Sequence, residues 1–342
     1  MSADFYEAEG ARPTVAVYGA AGHTGRFVLQ ELSRRGFPII AIGRNAVRLT
    51  ALSLPDGTRR VVATFDDAAA VGRALHGAAA LINCAGPFLD SAAPLVSAAL
   101  RAGIPYLDIT AEQASAQAVF ERFGLAAEQA GVVIIPAMGF WGGLGDLLAT
   151  AAMGDWVQAD TIRLNIALDS WNPTEGTRIT GQRNTARRLI VSDGRLQPLA
   201  DPAPQHTWSF AAPFGRQEMA EVPLSETILL SRHLQVGEIH NYVNTASLRE
   251  LADPTTPPPT AADEWGRSAQ IFLVDVEVRQ GDKVRRKAAR GQDIYAITAP
   301  LVVEAVQRIL TSPDQRNGAF APGDLFDAPS FLAALAPQLE LW

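Results

Sequence analysis

No stretch of the 342 residues limits the fold as strongly as Thr14-Val-Ala-Val-Tyr18, which runs straight into Gly19-Ala-Ala-Gly22-His-Thr-Gly25 and then Arg26-Phe-Val-Leu. A short β-branched apolar run that stops at a glycine is a buried strand, and the amphipathic spacing beyond Gly25 is a helix. Each glycine has a mechanical role. Gly19 permits the tight turn, Gly22 lets backbone approach a pyrophosphate, and Gly25 lets the helix pack close. Ala21, His23 and Thr24 complete the turn, whose backbone N–H groups sit at the positive end of a helix and suit phosphate. The first glycine gap is one residue wider than the standard fingerprint, and a turn kept only for packing would look the same. Its position after the first strand of a βαβ series favours dinucleotide binding.

That series runs over residues 14–135, where apolar runs at Thr14–Tyr18, Pro38–Ile42, Arg59–Ala63, Ala79–Asn83, Tyr106–Ile109 and Val132–Ile135 alternate with helical spacing. The fold class expected is α/β, a Rossmann-type doubly wound parallel sheet. From about residue 156 the pattern changes to strands with polar joins, at Thr161–Asp169, Gln217–Pro223, Val236–Asn244, Gln270–Val278 and Val284–Gln292. This predicts a second, α+β domain on a mostly antiparallel sheet. A helix over about 177–191 is expected near its start, ended by the turn at Ser192-Asp-Gly-Arg. The proline cluster within Asp253–Thr260 is expected to be a surface loop, and helices are expected over Ala299–Leu310 and from about Pro329.

The end of the second strand selects the nucleotide. An NAD site places Asp or Glu there for the ribose 2′-hydroxyl, whereas Arg accommodates a 2′-phosphate. Here the run is Ala41-Ile-Gly43-Arg44-Asn45, without an acid, so NADP(H) is expected over NAD(H). The segment Asn83-Cys84-Ala85-Gly86-Pro87 ends the fourth strand and is expected to border the ribose and nicotinamide. Cys84 is expected to be a small inert residue, since no base is placed beside it.

These pieces resemble the saccharopine dehydrogenase-like family, which includes saccharopine reductases and trans-acting enoyl reductases. The resemblance rests on Gly19-Ala-Ala-Gly22-His-Thr-Gly25, Asn83-Cys-Ala-Gly86-Pro87-Phe88 and Tyr106-Leu-Asp108-Ile-Thr110-Ala-Glu112. It continues through Glu175-Gly-Thr177-Arg-Ile-Thr180, Pro213-Phe-Gly-Arg216 and Gly291-Gln-Asp293-Ile-Tyr295-Ala-Ile-Thr298. It implies an NADP-binding domain over 1–155, an inserted substrate and dimerisation domain over 156–293, and C-terminal helices over 294–342 packing back on the first domain. Relatives carry Gly-Phe-Asp where this chain has Gly139-Phe140-Trp141, so an acid gives way to a flat apolar wall.

Catalytic candidates are Tyr106, Asp108 and Glu112, at the carboxyl end of the fifth strand, with helix capping by Thr110 and Glu112 as the alternative. Phe140, Trp141, Trp171, Thr177 and Arg178 are expected to line a substrate pocket. Arg178, Arg183, Arg187 and Arg188 could bind a carboxylate or form a solvated face. The Tyr-x-x-x-Lys pair of short-chain dehydrogenases is absent, since the only lysines are Lys283 and Lys287. A non-catalytic NADP-binding redox sensor is the alternative function.

Net charge of -7 disfavours nucleic acid, one cysteine excludes an internal disulfide, and the five histidines form no ligand-spaced pair, so no metal is expected. The acidic start lacks a secretory pattern, so a soluble, cytoplasmic protein that avoids the membrane is expected. A homodimer through the second-domain sheet is the expected assembly.

Overall fold

A computed structural model describes residues 12–312, 316–336 and 338–342. In the first half, strands β1 (Val15–Tyr18), β2 (Ile39–Gly43), β3 (Arg59–Val62), β4 (Ala80–Asn83), β5 (Tyr106–Asp108) and β6 (Val133–Ile135) alternate with helices. The helices are α1 (His23–Arg34), α2 (Ala46–Thr50), α3 (Ala68–Ala74), α4 (Phe88–Ala102) and α5 (Gln113–Ala130). The strands pair in parallel in the order β6-β5-β4-β1-β2-β3. Every residue of β1, β2 and β4 is buried, which is why these strands are continuous apolar runs rather than alternating ones. Successive residues still serve different faces: Val15 and Val17 join one core cluster, Ala16 and Tyr18 the other. Strand order reverses between β1 and β4, where a doubly wound sheet opens a crevice.

The buried helix α6 (Gly143–Met153) leaves this sheet and leads into the second one. There the elements are β7 (Gln158–Leu168), α7 (Glu175–Arg183), β8 (Leu189–Ser192), β9 (Arg195–Pro198), β10 (Gln205–Ser209) and β11 (Arg216–Glu221). They are followed by α8 (Ser225–His233), β12 (Gln235–Asn244), α9 (Thr245–Ala252), β13 (Ile271–Gln280) and β14 (Lys283–Gln292). The chain ends with α10 (Thr298–Thr311), β15 (Gly318–Ala319), α11 (Pro322–Leu325), α12 (Ala328–Ala334) and β16 (Leu339–Leu341). The second sheet runs β10-β11-β12-β7-β13-β14-β16, with the β8–β9 hairpin attached to β12. Its pairings are antiparallel apart from β12 with β7, so the sheet is mixed.

The helix expected over 177–191 stops at Arg183, and the rest is a correction. Thr174 accepts from the Thr177 N–H and starts the helix early. The β-branched run at Leu189–Ser192 then pairs as a strand, Val191 opposite Ile239. Asp193 and Gly194, at φ 50° and 70°, form its hairpin turn. The C-terminal segment divides between the sheets: α10 lies on α1 and β15 extends the first sheet, while β16 pairs with β14. One apolar cluster runs from Val15 through Leu144 and Leu164 to Phe272, Val302 and Phe331, joining both sheets.

Candidate functional site

A cavity of about 1170 Å3 lies at the carboxyl ends of β1, β2 and β4 and continues beneath connections of the second sheet. Its first part is built from the β1–α1 turn. A Cβ on Gly19 would come within 2.8 Å of the Cys84 carbonyl carbon, and one on Gly25 would collide with the Gly19 carbonyl oxygen. Both positions therefore need glycine for the two loops to meet. α1 begins at Gly22 with no side-chain cap, and Gly22, His23 and Thr24 line the cavity, so the first N–H groups of the helix face open space. Ala21, Arg44, Asn45, Cys84, Ala85 and Gly86 line it as well.

Three of the expected nucleotide residues do not reach the lining. Gly25 packs under the turn, Asn83 is fully buried, and Pro87 precedes α4. Asn83 accepts from the Ala85 N–H and donates to Ser91 and to the Tyr106 hydroxyl, so it shapes the loop from behind. Asn45 is spent in part as the cap of α2, accepting from the Arg48 N–H at 3.0 Å. Two residues that the sequence motifs do not single out, Arg48 and Phe65, complete this end. Arg48 stands on α2 and Arg44 just before its cap, and both line the cavity.

The three catalytic candidates separate. Tyr106 and Asp108 are fully buried and lie outside the cavity lining. The Tyr106 hydroxyl donates to Asp108 at 3.0 Å, and Asp108 accepts from the N–H groups of Thr110 and Ala137. Glu112 does reach the cavity. Its carboxylate accepts from the N–H groups of Phe88 and Leu89, so it caps α4 rather than its own helix. Burial pushes its pKa up to about 7, against the pull of those two N–H groups. Burial also pushes the Cys84 thiol up, so it stays protonated and inert.

The far wall is aromatic and hydroxylic. Trp141 and Trp171 stack with ring centres 5.1 Å apart, and Phe140 meets Trp141 edge-on at 4.8 Å. Thr177 is shared between Thr174 and the Tyr295 hydroxyl, at 2.9 and 3.0 Å. Tyr295 packs edge-on to His23, linking this wall to the glycine turn; burial pulls the His23 pKa down and its Nε2 has no partner among the described residues. Arg178 donates to the carbonyls of Asp253 and Thr256, so it holds the proline loop as well as lining the cavity. Tyr295 and Thr298 line the cavity too, and both stand in the Asp293–Thr298 motif, whose spacing alone assigns them no role. Among the described residues no group of three or more metal-ligating side chains converges, and no helix is long and apolar enough to cross a membrane.

Comparison with known proteins falls in line with this geometry. Residues 15–135 match the family described as saccharopine dehydrogenase NADP binding domain. A probable mitochondrial saccharopine dehydrogenase-like oxidoreductase of Arabidopsis thaliana is 30% identical over 142 residues, 37% of this chain and 31% of that protein. A saccharopine dehydrogenase-like oxidoreductase of Bos taurus is 24% identical over 145 residues, 37% of this chain and 34% of that protein. The matched part thus spans about a third of the length of these relatives. The apo saccharopine dehydrogenase (L-Glu forming) of Saccharomyces cerevisiae shares the fold, with TM-score 0.67 and 12% identity over 96% of this chain and 99% of that one.

Proposed function

We propose that this chain, whose residues 15–135 match the saccharopine dehydrogenase NADP binding domain, is an oxidoreductase. In this reading it transfers a hydride between NADP(H) and a C=N or activated C=C bond of a small metabolite. One observation carries it: a single cavity runs from the uncapped N-terminus of α1, past Arg44 and the Cys84–Gly86 loop, to the Trp141–Trp171 wall. At about 1170 Å3 it exceeds the roughly 300–1,000 Å3 of a pocket for one small molecule, leaving room for a dinucleotide and a substrate together.

The residues present fit such a nucleotide. The free N–H groups at the start of α1 suit a pyrophosphate, Arg44 and Arg48 suit a 2′-phosphate, and Phe65 offers a ring face beside them. When bound, the nicotinamide supplies the hydride chemistry. The protein's part is to orient the acceptor and to hold a proton nearby. Glu112, protonated below about pH 7, is the candidate acid that reaches the cavity, and the charge of Asp108 helps to raise its pKa. The substrate is a small molecule, and two copies pairing along the outer edge of β10 is the assembly this reading adopts.

The test is titration of the purified protein with NADPH and NADH, before and after Arg44→Ala. NADPH is expected to bind more tightly, and the variant to lose about tenfold or more for NADPH with little change for NADH. Failure of both nucleotides to bind the unaltered protein would remove this reading.

A further inference from the structure

Four arginines stand at the start of the second domain, and the structure uses them differently. Arg178 is spent on two loop carbonyls, Arg183 donates from one nitrogen to both oxygens of Asp90 at 2.9 Å, and Arg187 lies outside the main cavity, donating to the Leu199 carbonyl. Arg188 lines the cavity and makes one bond, to the Pro223 carbonyl at 3.2 Å. Among the described residues no carboxylate lies within 4.0 Å of it. Glu226 acts on it at longer range, but that carboxyl group is already bonded to the Gly142 N–H and to Asn241. Its side chain is exposed along the cavity and has no counter-ion among the described residues, so most of its donors are open to an anion that enters.

The surface beside Arg188 is apolar. Leu224 follows Pro223, the residue that holds Arg188, and lines the cavity together with Val222, Trp141, Trp171, Leu248 and Leu251. The two leucines come from α9, which is fixed against Trp171 by the Glu250 carboxylate accepting from the Trp171 N–H at 2.6 Å. Glu226 ties the Trp141–Gly142 turn to the segment that carries Pro223 and Leu224, so guanidinium and tryptophan wall border the same space. With Arg178 holding the proline loop and Arg183 paired with Asp90, Arg188 is the one of these four arginines left to face the cavity, and it does so beside a broad apolar face. A second carboxylate laid against that apolar face would lose water without gaining a partner from it.

We infer that the cavity takes a mono-acid with a flat or bulky apolar body, its carboxylate forked on Arg188 and its body lying against Trp141, Trp171 and the α9 leucines. This deepens the oxidoreductase reading and rests on it for the reaction, but the recognition is set by this chain's own side chains.

The experiment is a calorimetric titration of the full chain, with and without NADP+, using three probes: 3-phenylpropionate, the uncharged 3-phenylpropan-1-ol, and the diacid glutarate. 3-Phenylpropionate is expected to bind at least about tenfold more tightly than either of the others. Arg188→Gln is expected to remove that advantage while leaving the alcohol unchanged, Arg188→Lys to keep part of it, and Trp141→Ala to weaken both aromatic probes. Circular dichroism on each variant checks the fold. Glutarate binding as tightly as 3-phenylpropionate, an unaltered affinity in Arg188→Gln, or no saturation below about 10 mM would each overturn the inference. NADPH titrated into the same samples keeps the two readings apart. Normal NADPH binding without the acid preference removes this inference alone, whereas absent NADPH binding removes the oxidoreductase reading and leaves the acid preference standing or falling on its own data.

Discussion

Asp108 has no exposed surface, and its two oxygens accept from Thr110 N–H, Ala137 N–H and the Tyr106 hydroxyl at 2.9 to 3.0 Å. Burial pushes its pKa up to about 6, opposed by those donors. Asp108→Ala strands two buried N–H groups, at about 2–4 kcal/mol in total, and a thermal scan should show a midpoint lower by roughly 3–6 °C. An unchanged midpoint with lost turnover would instead make Asp108 a group that touches substrate. The motif around it is visible in sequence because an aspartate at a strand end is conspicuous. Sequence does not separate it from Glu112, because only burial shows that one carboxyl group bonds inward while the other reaches the cavity.

α7 has no buried residue, and polar contacts link it to the first domain: Glu175 with Arg48 at 3.5 Å, Arg183 with Asp90, and Thr180 beside Gly86. The Arg183–Asp90 side chains are 61% and 39% exposed, so the pair contributes little to global stability, about 0.5 kcal/mol. Arg183→Ala is therefore expected to leave the unfolding midpoint nearly unchanged while speeding hydrogen exchange across Glu175–Arg183. Equal exchange in the variant would mean that α7 is held by its other end alone. The helical spacing in this region overruns into 184–191 because arginines fit a helix as readily as a loop. The strand at Leu189–Ser192 forms because Gln113, far away in the chain, clamps the Leu189 backbone from both sides at 2.8 Å, and because Val191 meets Ile239.

Across the whole molecule, several buried acids favour the protonated state. Burial pushes Glu226 and Glu112 each up to about 7 and Asp108 up to about 6, although N–H donors pull each of them down. His233 is lowered by burial, but the charge and hydrogen bond of Asp146 outweigh this and raise it. In every case the folded chain holds its proton more firmly than the unfolded chain. The stabilisation is therefore complete below the unfolded values and falls as pH rises through the folded ones. Glu31 and Glu304 run the other way. Burial raises them, yet the arginines around them bring both below the usual carboxylate value, and their contribution is lost as pH falls through that lowered range. Thermal unfolding should accordingly show a higher midpoint at about pH 5.5 than at pH 8.5. Glu226→Gln should flatten that slope without unfolding the chain. Its oxygen can still accept from Gly142, and its amide can donate to the Asn241 oxygen, which has no partner. A slope unchanged in the variant would assign the pH dependence to the other groups.

The parallel strands, the glycine turn and the Arg44 strand end are legible in the chain because each is a pattern of neighbours, set by periodicity and by the backbone freedom of glycine at two close approaches. The same local logic places the long strands of the second sheet. It does not reach the C-terminal strand that crosses to that sheet, since three residues carry no periodicity of their own. Nor does it say which of four arginines is left without a partner, or that α9 leucines face the tryptophan stack. Those outcomes rest on contacts between residues 35 to 79 positions apart, Arg188 with Pro223 and Trp171 with Glu250, and they come into being only when the two sheets close on one core.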